Sequence, residues 1–171
     1  IATIADCMPL VDENRVIVQR GLRALRTTTR PGLLALMNES GLRPREVDAE
    51  AVGFKLAPRL NATGRIAHPE LGYELLRSDE FAATQLATKI NEVNEQRRTI
   101  TTTVAAEAIA QVESWSPERR AARIYVVHGP GWHEGVVGIV ASKLVERYGR
   151  PVLVVADGEP ARCAGGRARQ D

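Results

Sequence analysis

Two arginines six residues apart, Arg59 and Arg65, flank Asn61 in the stretch "FKLAPRLNATGRIAHP" (54–69). A charged strip on a helix surface uses spacings of three or four, so six is a different pattern. It suits a place where a helix gives way to a turn, with Gly64 supplying a backbone angle that other residues avoid. Arginine grips phosphate with paired N–H donors, so the chemistry on offer is anion binding. A helix end carrying two solvated arginines explains the same residues equally well at this point.

Asp6, in "TIADCMPL", follows a short apolar run that reads as a strand end. A carboxylate there is either a ligand for a hard divalent cation or a turn cap. His133 opens a helix beside Glu134. A helix N-terminus disfavours an imidazolium, so His133 reads as a neutral, hydrogen-bonding histidine or as a residue that merely borders the turn. Its loop, "GPGWHEG", lacks the lysine and serine or threonine of a P-loop and the spacing of a dinucleotide fingerprint. The position of the loop is more informative, because anions bind where a helix starts beyond the carboxyl end of a strand. His68 and His128 have no visible partner, and no Ser-His-Asp order stands out. Cys7 reads as buried packing, and Cys7 and Cys163 show no metal-ligand spacing.

The elements that must position these residues fall into three regions: 1–77, 78–114 and 115–171. In the first, "RVIVQRGLRAL" is amphipathic with Asn14 as a candidate cap. "RPGLLALMNES" reads as a helix with Pro31 in its first turn and Gly41 just past its end, and Asp48 caps the next segment. From Ser78 to Ser114 there is neither proline nor glycine, and Leu86, Ile90, Val93, Ile100, Val104, Ala108 and Val112 recur at helical spacing. Such a helix, about 50 Å long, suits a bridge between two lobes, and Arg97 interrupts its apolar stripe at the centre. In the third region "RIYVVH", "HEGVVGIVASKLVERYG" and "PVLVVAD" read as strand, helix, strand, a crossover between parallel strands. Gly135 and Gly138 would let that helix lie close to the sheet. The fold class expected is therefore α/β, two lobes joined by a long helix, the C-terminal lobe a small parallel-type unit.

With 44% hydrophobic residues, the 171-residue chain has the composition of a globular protein rather than a disordered one. No apolar run approaches a membrane helix and no signal peptide is visible, so a reducing, cytoplasmic setting without membrane contact is expected. A net charge of +2 carries no global nucleic-acid signature. Of the 23 basic residues only Lys55, Lys89 and Lys143 are lysines, which with the abundant alanine reads first as the mark of a GC-rich genome and only weakly as a hint of phosphate chemistry. Beginning at Ile1 and stopping at Asp171 without polar tails, the chain looks like a piece of something longer.

Taken in order, "ATIADCMPL", "KLAPRLNATGRIAHP", the long helix, "GWHEGVVGIVASKLVERYGRPVLVVADG" and the closing glycine-arginine stretch resemble the RecJ branch of the DHH phosphoesterases, single-strand-specific 5′ to 3′ DNA exonucleases. The resemblance covers nearly the whole chain. It implies that 1–77 is the C-terminal part of a DHH phosphoesterase domain, 78–114 a connecting helix and 115–171 a truncated DHH-associated, nucleic-acid-binding domain. It implies Asp6 as the catalytic aspartate that ligates a two-metal Mn2+ or Mg2+ centre, where paired cations polarise the phosphodiester and activate water. It further implies Arg59, Asn61 and Arg65 along the phosphate path, and His133, Gly165, Gly166 and Arg169 contacting the strand from the second lobe. Single-stranded DNA is the partner implied, with a single-strand-binding protein and a helicase as family associates.

This sequence departs from the family pattern twice. The Asp-His-His motif and earlier aspartates are absent, so these 171 residues alone are expected to be inactive. The family's closing Gly-Ser-x-Arg-Ser pattern is here Gly166-Arg167-Ala168-Arg169-Gln170, with both serines replaced. Aromatic residues amount to 4%, too few for base stacking to dominate affinity. The alternatives are a nanoRNase or cyclic-dinucleotide phosphodiesterase of the same superfamily, whose Gly-Gly-Gly-His signature "AGGRARQ" lacks, and a non-catalytic single-strand-binding module.

Overall fold

The structure, a computed structural model, describes residues 1–156. Its contacts divide the chain into two compact units, with the boundary between Thr99 and Ile100. That boundary falls inside the long helix α7, Glu80–Glu113, rather than at either end of it.

Unit 1 is helical. It comprises α1 (Ala2–Ala5), α2 (Asp12–Arg26), α3 (Pro31–Glu39), a 3₁₀ turn (Pro44–Glu46), α4 (Ala49–Ala51), a π-type turn (Val52–Leu56), α5 (Ala57–Ile66), α6 (Glu70–Arg77) and the first part of α7. Its core gathers Leu36, Met37, Val47, Val52, Leu56, Leu75 and Ile90, each almost fully buried. Local signals set several boundaries as expected. Pro31 starts α3, Gly41 follows its end at φ +64°, and Asp48 accepts a hydrogen bond from the Ala51 amide at 2.7 Å. Others differ. Asn14 lies within α2 rather than capping it and donates to the Pro9 carbonyl at 3.1 Å. Asp12 and Glu13 occupy the first turn instead, where negative charge suits the helix dipole.

Two features of unit 1 position α5. At Gly32, an added Cβ would lie 1.7 Å from the Leu75 carbonyl oxygen, so only glycine lets α3 approach α6 this closely. At the π-type turn, the Ala57 amide bonds the Val52 carbonyl five residues back. Pro58, next in the chain, has no N–H to offer. The wider turn absorbs that missing donor and lets the helix continue into α5.

Unit 2 contains the rest of α7, then α8 (Pro117–Arg120), β1 (Tyr125–Gly129), α9 (Glu134–Tyr148) and β2 (Val152–Ala156). The strands pair in parallel, Tyr125 opposite Val152 through Gly129 opposite Ala156. The chain is thus an α/β protein, mostly helical with a small parallel sheet. α9 buries Val136, Val140 and Leu144, one face at a spacing of four, and ends at Gly149 in the left-handed conformation. Gly138 is exposed with nothing within 4 Å of an added Cβ, so it does not provide the close sheet contact expected of it. Gln111 of α7 pairs with the backbone of β1, donating to the His128 carbonyl and accepting from the His128 amide, both at 3.1 Å. It thereby satisfies groups that an edge strand would leave open.

Candidate nucleic-acid interface

The arginine segment runs along α5 to its last turn, which holds Arg65 and ends at Ile66. Arg59, Asn61, Gly64 and Arg65 all lie within α5, and among the described glycines Gly64 does not adopt positive φ. On a helix, six residues leave Arg59 and Arg65 about 120° apart, whereas Asn61 and Arg65, four apart, share a face. The two arginines therefore have different surroundings. Arg59 is half-buried, its Nε donating to Asn91 Oδ1 of α7 at 2.9 Å and its Nη1 to the Lys55 carbonyl at 2.8 Å. Asn61 and Arg65 instead line an open cleft of about 480 Å³ together with Asp6, Gly64, Pro69 and Tyr73.

Asp6 reaches this cleft from the end of a helix, not of a strand. Its amide bonds Ala2 at 2.9 Å as the last turn of α1, which packs against α5 and the π-type turn. The next residue, Cys7, turns the chain at φ 51° and is exposed, so it is not core packing. An apolar run of four residues is too short to separate a helical turn from a strand.

Arg97 and Arg98 of α7 bring further positive charge near the arginines of α5, with Glu95 acting against it. Burial holds the half-buried Arg97 guanidinium of α7 below the ordinary arginine value, and the positive charges of Arg65 and Arg98 push the same way while Glu95 opposes. Arg97 also donates to the buried Asn94 at 3.0 Å. Arg59 is likewise lowered, first by burial, with Arg98 adding to the shift and Glu95 and Glu39 opposing it. An arginine so shifted stays charged at neutral pH. Sequence spacing marked Arg97 as a break in an apolar stripe; its proximity to Arg65 is a tertiary fact that spacing did not reveal. Tyr73, also in the cleft, was not singled out by spacing at all.

His133 lies in unit 2 as the N-cap of α9. Its Nδ1 accepts from the Gly135 amide at 3.0 Å, as expected for a hydrogen-bonding cap. The preceding Trp132 is buried and donates from Nε1 to Glu107 of α7 at 2.7 Å. Gly165, Gly166 and Arg169 lie outside the described residues.

Asp6 is the acidic residue lining the cleft, and among the described residues no three of His, Cys, Asp and Glu come close enough to hold a metal ion. A hard divalent cation takes about six oxygen ligands. These residues alone do not make such a cage. Also among them, no helix is long and apolar enough to cross a membrane.

No protein-family model matches the chain. It is 46% identical over 170 residues to the single-stranded-DNA-specific exonuclease RecJ of Bacillus subtilis, a match covering 99% of this chain and 21% of that protein. This chain is homologous to part of RecJ. Solved structures agree: RecJ from Thermus thermophilus in complex with Mn2+ superposes with a TM-score of 0.79 at 33% identity, and its Mg2+ complex with 0.80 at 34%. Each covers 91% of this chain, and the chain covers 23% and 24% of those RecJ chains. The chain therefore spans about a quarter or less of the length of these RecJ relatives.

Proposed function

We infer that this chain forms part of a single-strand-specific 5′ to 3′ DNA exonuclease, a phosphodiester hydrolase like RecJ. What supports the reading, beyond homology, is one geometric observation: Asp6, distant in sequence from Asn61 and Arg65, lines the same cleft as they do. In this reading Arg65 and Asn61 bind and orient a backbone phosphate, the guanidinium through charge-assisted N–H donors and the amide through a neutral one. Asp6 supplies one carboxylate to a divalent-metal centre whose remaining ligands are not among the described residues. Bound there, Mn2+ or Mg2+ would polarise the phosphodiester and acidify water. Arg59 supports this face of α5 from behind rather than touching substrate. His133 with Gly165, Gly166 and Arg169 contacts the strand from unit 2, α7 serving as the connecting element.

With one carboxylate at the cleft, the 171 residues by themselves bind single-stranded DNA without cleaving it. A single-strand-binding protein and a helicase are the partners proposed, and the cytoplasm the location. The test uses the complete protein encoded by the reading frame that contains this chain, assayed on 5′-labelled single- and double-stranded DNA with Mn2+. Asp6→Ala and Arg65→Ala should each abolish single-strand degradation. Full activity in Asp6→Ala removes the metal-ligand assignment, and release of nucleotides by the 171-residue chain alone refutes its inactivity.

A further inference from the structure

Nucleotides present two recognisable chemistries, an anionic phosphate and an aromatic base, and the cleft beside α5 presents a counterpart to each. The phosphate side is Asn61 and Arg65. The lining also includes Tyr73 of α6, a residue 59% exposed. Its neighbours on the helix explain the orientation: Gly72 and Leu75 are buried on the inner face, which turns Tyr73 outward.

Tyr73 is also held in place. Arg77, four residues on, lies with its guanidinium carbon 5.4 Å from the ring centroid, and its Nη1 donates to the Tyr73 hydroxyl. A ring restrained in this way loses little further freedom when a ligand stacks on it. The other strongly exposed aromatics of unit 1, Phe54 and Phe81, do not line this cleft.

We propose that Tyr73, braced by Arg77, is the stacking platform for the base of the nucleotide whose phosphate is bound by Asn61 and Arg65. The inference rests on the phosphate-binding reading of the cleft and adds to it a site for the base. Stacking accepts any base, since each has a π-face, so the platform adds affinity without sequence preference. A composition poor in aromatics is compatible with this, because one well-placed ring suffices at one position.

The experiment measures binding by the complete protein, without divalent metal, to 5′-phosphorylated single-stranded oligonucleotides that are either intact or abasic at one of the first few nucleotides in turn. Tyr73→Ala should weaken binding to the intact strand about 5- to 100-fold, the range of one base–aromatic stack. The penalty should vanish for the one oligonucleotide that lacks the stacked base. Tyr73→Phe, which keeps the ring, should bind within about threefold of wild type on every strand, consistent with loss of no more than the hydroxyl contact. A Tyr73→Ala penalty that persists on all abasic strands, or no penalty on any strand, overturns the proposal. Arg65→Ala separates the two layers. It should weaken every strand alike, and if it weakens none the phosphate reading itself has failed. If Arg65→Ala weakens binding while Tyr73→Ala leaves it intact, only the stacking proposal has failed.

Discussion

The Trp132 indole N–H donates to the Glu107 carboxylate at 2.7 Å, joining the loop that carries His133 to α7 within unit 2. The ring lies so close to Gly129 that an added Cβ there would sit 2.4 Å from it. A hydrogen bond to a charged group contributes about 1.5–3 kcal/mol, reduced here by the exposure of Glu107. Glu107→Ala should therefore lower stability by about 1–2 kcal/mol, measured by denaturant unfolding followed through tryptophan fluorescence. Glu107→Gln, which keeps an acceptor oxygen, should lose less. Equal losses in the two variants would mean that the indole bond contributes nothing of its own.

Gly32 and Gly21 offer opposite outcomes for one substitution. At Gly32 the new methyl would meet the Leu75 carbonyl at 1.7 Å, and backbone cannot give way as a side chain can. Gly32→Ala should destabilise by about 1–3 kcal/mol or more, the range for overpacking. At Gly21, inside α2, nothing lies within 4 Å. Gly21→Ala should stabilise by roughly 0.5–1 kcal/mol through helix propensity. Thermal melts of both variants decide the matter, and a neutral Gly32→Ala would contradict the close approach of α3 to α6.

Arg59 and Arg65 are expected to fail in different assays. Arg59 holds Asn91 and the Lys55 carbonyl, so Arg59→Ala should cost about 1–2 kcal/mol of stability. Arg65 is exposed at the cleft, and Arg65→Ala should keep the melting temperature within a few degrees, as surface substitutions do, while weakening DNA binding. Comparing the melting temperature with the oligonucleotide affinity for each variant checks the division. A large stability loss in Arg65→Ala with unchanged binding would reverse the roles.

Acid should weaken the 3₁₀ turn. Hydrogen bonds from the Arg43 side chain, and then from the Arg43 amide, hold the Glu46 carboxyl below its ordinary value. The folded state then binds fewer protons than the unfolded one between the two values, so the contribution is present above the ordinary glutamate range. It is lost as pH falls through the lowered folded value. Melts taken from neutral pH down through the carboxylate range should show a small acid-side loss that Glu46→Gln removes. Because the pair lies at the surface, added salt should shrink the effect. An identical acid profile in the variant would rule out this contribution.

Much of the fold was legible because its signals are local. Pro31 and Gly41 delimit α3, Asp48 caps α4, and the proline- and glycine-free run after Ser78 is one helix, Glu80–Glu113. The parallel β1–α9–β2 unit follows from two β-branched runs flanking an amphipathic helix. Each of these depends on residues within a turn or two of one another. Asp6 and Cys7 were misplaced, the first on a strand and the second in the core, because a four-residue helix has too few positions to display a period.

The cleft itself was decided by tertiary structure. Residue types alone marked Asp6, Asn61 and Arg65 as chemically capable, and their order along the chain matched RecJ. Which of them face one another depends on the π-type turn before Pro58. One extra residue in a helical turn rotates everything after it by about 100°, so the phase of α5 is not readable from its own spacing. That rotation, with the packing of α1 on α5 and the glycine-dependent approach of α3 to α6, sends Arg59 inward to Asn91 and leaves Asn61, Arg65 and Tyr73 on one open face. Spacing along a chain encodes neighbours within an element; long-range packing sets the angle at which elements meet.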